Sequence, residues 1–205
     1  MTNVLVYELY GKVYINLTNR CTNNCVFCLR NDKDDVCGQK LWLDNEDFSA
    51  NDVTEQLKNF DLSSEVIFCG YGEPLLKLEL LKEVAKYIKE NYPNVKIRIN
   101  TNGQANIVYK RNIVPELKGL VDEISVSLNG EDNKEYNDYS RPRLLNAYEE
   151  VKRFIKACSE EGIDVVATVV DGYKGQHLNL KKCEEIATGL GAKFRVREWI
   201  ENGYS

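Results

Sequence analysis

Short runs in which apolar and polar residues alternate recur along the chain, and this period of two predicts β-strands. In Glu123–Leu128, for example, three aliphatic residues fall on one face and two serines on the other. The runs are rich in Val and Ile and are bounded by Gly, Asn or Pro, as is typical of strands. They predict strands at Val13–Thr18, Val66–Cys69, Lys96–Asn100, Glu123–Leu128, Asp164–Val170 and Phe194–Trp199, with Val4–Leu9 extending or pairing with the first across Tyr10-Gly11-Lys12.

Between these strands, apolar residues recur every three or four positions and predict amphipathic helices. The periodic sets are Val53/Leu57/Phe60, Leu80/Leu81/Val84/Tyr87/Ile88, Tyr148/Val151/Ile155/Cys158 and Cys183/Ile186/Ala187/Leu190. A strand-helix alternation of this kind predicts a parallel sheet with right-handed crossovers.

The polar face of each predicted strand distinguishes between two forms of such a sheet. Strands that are covered by helices on both faces tend to be apolar throughout, as in a doubly wound open sheet. One apolar and one polar face instead indicate helices outside and a water-filled hollow inside. Six strands are too few for a closed eight-stranded barrel. We therefore predict an α/β fold, a partial (β/α)6 TIM-like barrel with parallel strands, and keep the doubly wound sheet as the alternative.

Composition narrows the class of protein. The chain has 205 residues, 43% hydrophobic and 29% charged, with a formal net charge of −5. The acidic balance disfavours bulk nucleic-acid binding, which usually needs a basic face. No apolar run approaches the ~18 residues of a membrane span, and the first residues lack the pattern of a signal peptide. We expect a cytoplasmic protein without a membrane partner.

Cysteine carries the strongest chemical signal. Three of the seven cysteines lie within eight residues, as Cys21, Cys25 and Cys28, directly after the first predicted barrel strand. Three thiolates on one loop suit a soft metal or an iron–sulfur cluster. A cubane of four irons would keep one iron without a protein ligand, open to a substrate or cofactor. Two alternatives remain: a non-catalytic protein, either with a zinc site whose distant fourth ligand is a residue such as Cys37 or Cys69 or with an iron–sulfur cluster that carries electrons, and accidental crowding of cysteines.

The spacing C-x3-C-x2-C, with Phe27 just before the third cysteine, resembles the signature of the radical S-adenosylmethionine (SAM) superfamily. Further segments match that superfamily's motifs in the expected order: Gly70-Tyr71-Gly72-Glu73-Pro74 is similar to GGEP, Asn100-Thr101-Asn102-Gly103 to (D/S)TNG, Ser127-Leu128-Asn129-Gly130 to SLDG, and Tyr139-Ser140-Arg141-Pro142 to a segment with a SAM-contacting arginine. Tyr71 departs from the pattern, because it replaces the first glycine of GGEP.

The resemblance implies one radical SAM core domain over residues 1–205, with a [4Fe–4S] cluster and SAM as cofactors. Cys21, Cys25 and Cys28 would be both the metal ligands and the catalytic residues. An electron from reduced flavodoxin or ferredoxin would cleave SAM to a 5′-deoxyadenosyl radical, which abstracts hydrogen from an unidentified substrate. The implied SAM-binding residues are Phe27, Tyr71, Gly72, Glu73, Pro74, Asn100, Asn102, Ser127, Asn129, Arg141 and Val169, with Glu73 expected to brace its loop and Val170 beside Val169.

The opening segment through Ile15-Asn16-Leu17-Thr18-Asn19-Arg20 resembles the small subgroup of TatD-associated radical SAM proteins, which implies a functional link to a TatD-type nuclease. Within the superfamily, an activase that makes a glycyl radical in a larger protein is the alternative to an enzyme acting on a small molecule or nucleotide-sized ligand.

Three arginines form a separate inference from strand alternation. Arg98, Arg195 and Arg197 fall on the polar faces of the third and sixth strands and would point into the hollow. Buried arginines need anionic partners. They would therefore bind a carboxylate or phosphate of the substrate, or pair with an inward acid such as Glu65.

The other cysteines and the single histidine receive structural roles or none. Cys158 and Cys183 lie on apolar helical faces and are expected in the core, and Cys69 ends a buried strand. Cys37 lies in a polar loop, where it is either a substrate-facing thiol or a residue without a role. His177 is predicted to be a surface residue.

Overall fold

The structure, a computed structural model, describes residues 3–36 and 38–200; Cys37 lies outside these ranges. Each predicted strand is present to within a few residues. The strands are β1 (Val6–Leu9), β2 (Lys12–Ile15), β3 (Asp35–Val36), β4 (Gln39–Lys40), β5 (Glu65–Phe68), β6 (Lys96–Thr101), β7 (Glu123–Ser127), β8 (Asp164–Asp171) and β9 (Lys193–Glu198).

One seven-stranded sheet organises the chain, in the order β1-β2-β5-β6-β7-β8-β9. β1 and β2 form an antiparallel hairpin around Tyr10 and Gly11, which both take positive φ. From β2 onwards every neighbouring pair is parallel. The predicted set of six parallel strands is confirmed, and the sheet is open because β1 and β9 are its two end strands.

The helices between the strands are α1 (Ala50–Leu57), α2 (Leu78–Asn91), α3 (Ala105–Tyr109), α4 (Asn133–Ser140), α5 (Ala147–Glu161) and α6 (Leu180–Gly189). α1 begins at a capping box in which Ser49 and Asp52 satisfy each other's backbone N–H groups. α5 ends at Gly162, whose φ of +81° suits a residue without a Cβ atom. None of the helices in the described ranges has the length and apolar character needed to cross a bilayer.

The apolar faces of the strands pack against these helices and form the main core. Ile97, Ile99, Ile124 and Val126 are fully buried there, together with Cys158 and Cys183, as predicted. The opposite face carries the polar partners that the alternation placed on it. A partial barrel with helices outside is therefore confirmed, and the doubly wound alternative is wrong.

A second, smaller core lies at the β1–β2 end of the polar face. It contains Tyr7, Leu9, Val36, Leu41 and Tyr71, with Trp42 packed against them. The segment that supplies part of it follows the cysteine loop and includes the β3–β4 hairpin. This small core covers the β1–β2 end of the hollow, and none of its members in the described ranges comes from β7, β8 or β9.

Candidate functional site

The cysteine loop follows β2 at the carboxyl end of the parallel strands and is held by a distant segment. Val26 N–H donates to the Tyr139 carbonyl at 2.9 Å, Asn24 N–H to the Ser140 carbonyl at 3.1 Å, and Arg143 N–H to the Thr22 carbonyl at 2.8 Å. An isolated antiparallel bridge joins Asn23 to Pro142. The last residues of α4 and those that follow it therefore fix the backbone of the loop that carries Cys21, Cys25 and Cys28.

Buried amide side chains hold the loop from below. Gln104 donates to Asn23 Oδ1 at 2.6 Å and to the Tyr136 hydroxyl at 2.8 Å. The Asn102 amide donates to Thr22 Oγ1 at 2.8 Å and contacts Cys21 Sγ at 3.6 Å. The loop after β6 is thus joined directly to the cysteine loop, and Asn102 lies beside the cysteines.

Arg30 is a cation within the cysteine loop. Its guanidinium donates to the carbonyls of Asn23 at 2.8 Å, Asn19 at 3.3 Å and Tyr71 at 3.5 Å. One side chain thereby ties the cysteine loop to the loop after β5. Its positive charge also favours the thiolate form of all three clustered thiols.

The three clustered thiols are half-buried and form no disulfide. Burial is the main cause that raises the pKa of each, and for Cys25 burial and the neighbouring Cys28 and Cys21 raise the pKa to about 12. Arg30 opposes this rise without cancelling it. The thiols are therefore protonated at neutral pH, and binding of a metal must displace their protons.

The Gly70–Pro74 segment packs closely against the start of the cysteine loop. A Cβ atom on Gly72 would lie 2.3 Å from the Thr18 carbonyl oxygen and 2.6 Å from that of Arg20, so only glycine fits.

Glu73, the next residue, is held entirely by protein groups. Its carboxylate accepts from Thr101 Oγ1 at 2.7 Å, from Asn102 N–H at 2.7 Å and from Leu75 N–H at 3.1 Å. Both carboxylate oxygens are engaged in these contacts. The Glu73 side chain therefore braces the loop after β5 in the structure.

Tyr71 departs from the glycine of the motif without strain, because its φ is not positive. Its ring packs edge-on to Trp42 at 5.2 Å between centroids, and its hydroxyl donates to the Lys33 carbonyl at 2.8 Å. The side chain thus belongs to the small core, and only its backbone remains a candidate for contact with a cofactor. Pro74 is buried and begins the turn that leads to α2.

The strand ends after β6 and β7 carry three of the predicted residues. Asn100 is half-buried beside Cys69, and Ser127 is half-buried on the same face of the sheet. Asn129 is 1% exposed and donates to Ser140 Oγ at 3.3 Å, while Ser140 in turn hydrogen-bonds Cys25. Within the described residues, Asn129 Oδ1 has no hydrogen-bond partner.

Phe27 and Arg141 both lie beside the cysteine loop. The Phe27 ring is partly buried between Tyr139 and Tyr173, with both centroids 6.2 Å away. Arg141 caps α4 in the left-handed conformation, with a φ of +44°, and its side chain is exposed. The prediction that both residues bind SAM stays a prediction, which their positions permit.

Val169 does not line the hollow. Its side chain is 0% exposed and belongs to the helix-facing core, because alternation along β8 turns Thr168 and Val170 to the polar face instead. Contact between Val169 and SAM therefore stays a prediction that its buried side chain does not support, and Val170, which was named with it, is the inward neighbour.

The three arginines have different surroundings. Arg98 pairs with Glu65 at 3.5 Å and Glu123 at 3.6 Å at the amino-terminal end of the strands. The prediction that Arg98 pairs with an inward acid is confirmed. The alternative, that Arg98 contacts the substrate, is not supported. Arg195 and Arg197 lie on β9, on the polar face as predicted.

The three thiols suit an iron–sulfur cluster better than a single metal ion. Among the described residues, no three Cys, His, Asp or Glu side chains converge on one ion position. The three thiols nevertheless share one braced loop, with a buried acceptor, Asn129 Oδ1, connected to Cys25 through Ser140. Three soft donors and an unpaired acceptor suit a cluster with an open iron and a ligand that carries amino or hydroxyl groups.

Several residues of the site were not predicted from the sequence. Arg30, Asn23, Gln104 and Tyr136 hold the cysteine loop, but their partners lie up to 113 positions away. Arg30 alone has a local signal, since it lies two positions after the third cysteine of the cluster. His177 is exposed at the surface, as predicted, and pairs with Asp171 at 2.8 Å.

Comparison with known proteins gives consistent matches. The sequence pattern of the Radical SAM superfamily matches residues 15–187. An uncharacterized protein of Methanocaldococcus jannaschii, MJ0907, is 30% identical over 128 residues, which are 62% of this chain and 41% of that protein. The Fe-coproporphyrin III synthase of Methanosarcina barkeri is 32% identical over 151 residues, 73% of this chain and 34% of that one.

The chain thus spans between a third and two fifths of the length of these relatives. A similar fold occurs in the structure of native anSMEcpe with bound AdoMet, with a TM-score of 0.63, 15% identity, and coverage of 91% of this chain and 50% of that one.

Proposed function

Because the chain belongs to the Radical SAM superfamily, whose members are enzymes that bind a [4Fe–4S] cluster and SAM, we propose that it reductively cleaves SAM and uses the resulting radical on a substrate. The observation that carries this proposal is the loop of three cysteines, held in place by Arg30 and the Asn23–Gln104 contact. When bound, the reduced cluster supplies one electron to the sulfonium, which gives methionine and a 5′-deoxyadenosyl radical that abstracts hydrogen.

The residues of this chain would bind and orient the cluster and SAM. Cys21, Cys25 and Cys28 would each hold one iron of the cluster, and Asn129 Oδ1, unpaired among the described residues, would accept a hydrogen bond from SAM. The backbone at Tyr71 and Gly72, kept in place by Glu73, would contact the SAM amino group. The proposed cofactor pocket is completed by Asn100, Asn102, Ser127, Phe27 and Arg141.

The finer predictions remain part of the proposal. We propose one core domain over residues 1–205, a reduced flavodoxin or ferredoxin as electron donor, and a location in the cytoplasm, where free thiols such as the six described cysteines persist. The TatD-associated subgroup and the link to a nuclease rest on the opening segment alone. An activase for a glycyl radical protein stays an alternative. Identification of the substrate as a protein or as a small molecule would distinguish the two.

The test is anaerobic reconstitution with iron and sulfide, reduction with dithionite, and quantification of 5′-deoxyadenosine formed from SAM. The proposal predicts a brown protein that forms 5′-deoxyadenosine, and loss of that product in the Cys25→Ala variant. The matched control is Cys183→Ala, because Cys183 is fully buried in the main core, away from the loop. A colourless zinc protein would support the non-catalytic alternative, and equal product from Cys25→Ala would show that the cysteine loop does not carry the reaction.

A further inference from the structure

Two inward arginines of the sheet differ in how their charge is balanced. Arg98 on β6 lies between the carboxylates of Glu65 and Glu123, at 3.5 and 3.6 Å, and only 11% of its side chain is exposed. The Glu65 carboxylate also forms an ion pair with Lys12 Nζ at 2.7 Å. The Glu65 carboxylate is therefore already shared by two cations.

Arg195 on β9 reaches into the hollow from the other end of the sheet. Its guanidinium donates to Ser125 Oγ on β7 at 3.1 Å, which means that the side chain passes over the intervening strand β8. Its charge also acts on Tyr14, on the far strand β2. A contact of this reach places the guanidinium over the concave face, although Arg195 as a whole residue is exposed.

The charge of Arg195 is not neutralised by an ion pair. Among the described residues no carboxylate forms a salt bridge with it, and the Ser125 hydroxyl is neutral. Partial burial, and then repulsion from Arg98, lower the pKa of Arg195, and attraction to Glu123 and Glu65 does not offset them. The protein as a whole carries a net charge of −5, so this local excess of positive charge is not a by-product of general basicity.

The position of Arg195 is also open to a ligand. Among the described residues, none from β7, β8 or β9 belongs to the small core that covers the β1–β2 end, and the aromatic contact near this end joins Tyr173 and Trp199, beyond the ends of β8 and β9. Ser127, a neighbouring inward position in register with Arg195 across Thr168, supplies a half-buried hydroxyl. The hydroxyl of Thr168 itself is buried and donates to the Val126 carbonyl at 3.4 Å. A planar guanidinium held at one corner by Ser125 keeps further N–H groups for a bidentate partner.

We propose that Arg195 anchors an oxyanion, a carboxylate or phosphate group, of a small-molecule substrate at the β7–β9 end of the hollow. This inference deepens the proposed function and rests on it for the identity of the ligand as a substrate. Arg98 is excluded from the role because Glu65 and Glu123 already balance it. Arg197 faces the same side, close enough for its charge to act on the Cys69 thiol, and lies two positions further toward the carboxyl end of β9.

The test uses inorganic phosphate and acetate as probes in isothermal titration calorimetry. They are titrated into anaerobically reconstituted protein saturated with SAM, and separately into the metal-free protein. Saturation with SAM blocks an open iron, which would otherwise bind either probe. The variants are Arg195→Gln, Arg195→Lys and the matched control Arg153→Gln, in which an exposed arginine paired with Glu150 on α5 is changed.

We expect Arg195→Gln to weaken binding of the preferred probe about tenfold or more, as for loss of one hydrogen bond to a charged group. The affinity of Arg195→Lys for the probe should lie between those of the wild type and Arg195→Gln, since lysine keeps the charge and lacks the planar guanidinium. Arg153→Gln should bind like the wild type, and equal thermal midpoints would show that the fold is kept. The tighter of the two probes then identifies the substrate group as phosphate or carboxylate.

Unchanged affinity in Arg195→Gln, the absence of binding up to about 10 mM, or displacement of the probe by SAM would each overturn the inference, the last by assigning the arginine to the cofactor. The titration of metal-free protein separates the two proposals. A failure to assemble a cluster or cleave SAM refutes the proposed function, whereas anion binding that depends on Arg195 is measured without either.

Discussion

The carboxylate of Glu73 accepts a hydrogen bond of 2.7 Å from the backbone N–H of Asn102, and this contact joins the loops that follow two neighbouring strands. Asn102 continues the connection, because its side chain donates to Thr22 in the cysteine loop. Glu73 is 4% exposed and also accepts from Thr101. A single buried carboxylate therefore sets the distance between the strand ends and the loop that carries the cysteines.

The stability of the metal-free protein should depend on pH through Glu73. Burial raises the pKa of Glu73 to about 7, from a usual value of 4.5. The folded state therefore holds the proton more tightly than the unfolded state, and the stability that protonation contributes is complete below pH 4.5 and is lost as the pH rises through about 7.

Glu73→Gln keeps the shape of the protonated side chain and cannot ionise. We therefore expect the free energy of unfolding of Glu73→Gln, relative to wild type, to increase from about pH 5 to about pH 8 in urea titrations. Glu90→Gln on the exposed face of α2 is the control and should show no such change, since its weak pair with Lys86 lies at 3.9 Å. A difference between Glu73→Gln and wild type that stays constant over this pH range would refute the raised pKa.

Gly72 tests the close contact between the loop after β5 and the cysteine loop. In Gly72→Ala the new methyl group would meet two carbonyl oxygens at 2.3 and 2.6 Å, so one of the two backbones must move. We expect the free energy of unfolding to fall by more than about 2 kcal/mol, in the range of overpacked core substitutions, and cluster loading to fall with it.

Gly189→Ala is the matched control for that change. Nothing lies within 4 Å of a Cβ atom there, and the residue is in α6, where alanine favours the helix. It should leave the free energy of unfolding equal or slightly higher. Equal stability and iron content in Gly72→Ala and Gly189→Ala would show that the close contact does not matter.

Arg30 should govern how firmly the cysteine loop holds its metal. Arg30→Gln removes donors to three carbonyls and the positive charge that favours the thiolates. We expect faster loss of iron to a chelator from the reconstituted variant, by about tenfold, the effect of ~1.4 kcal/mol.

Arg20→Gln is the control for Arg30→Gln, because Arg20 lies in the same loop, 76% of its side chain is exposed, and its pair with Glu46 spans 3.5 Å. Its rate of iron loss should match that of the wild type. Equal rates in the two variants would mean that Arg30 is not a positioning residue for the loop.

The sequence is sufficient to predict the strands, the helices and the cysteine loop, since each depends on short-range periodicity or spacing. It is not sufficient where a side chain depends on register or on distant partners. The resemblance assigns Val169 to the SAM pocket, whereas its position in the alternation of β8 places its side chain in the main core. For Arg98 the sequence allows either a substrate or Glu65 as partner, and only the packed sheet shows a carboxylate on either side of it.

The hydrogen bonds that hold the cysteine loop could not be predicted from the sequence for the same reason. Gln104 and Asn23 are 81 positions apart, and their 2.6 Å contact exists only once β6 and the cysteine loop are neighbours. The small core around Tyr71 likewise depends on the segment after the cysteines folding back over β1 and β2. The departure at Tyr71 from the glycine of the motif is explained by that core.

The central claim is that three cysteines hold a cluster whose fourth iron is open to SAM, and electron paramagnetic resonance of the reduced protein tests it most directly. The account predicts a [4Fe–4S] signal that shifts when SAM is added, disappears in Cys21→Ala, Cys25→Ala and Cys28→Ala, and persists in Cys158→Ala, whose thiol is buried in the main core. A signal that SAM does not alter, or one that survives loss of any of the three loop cysteines, would contradict it.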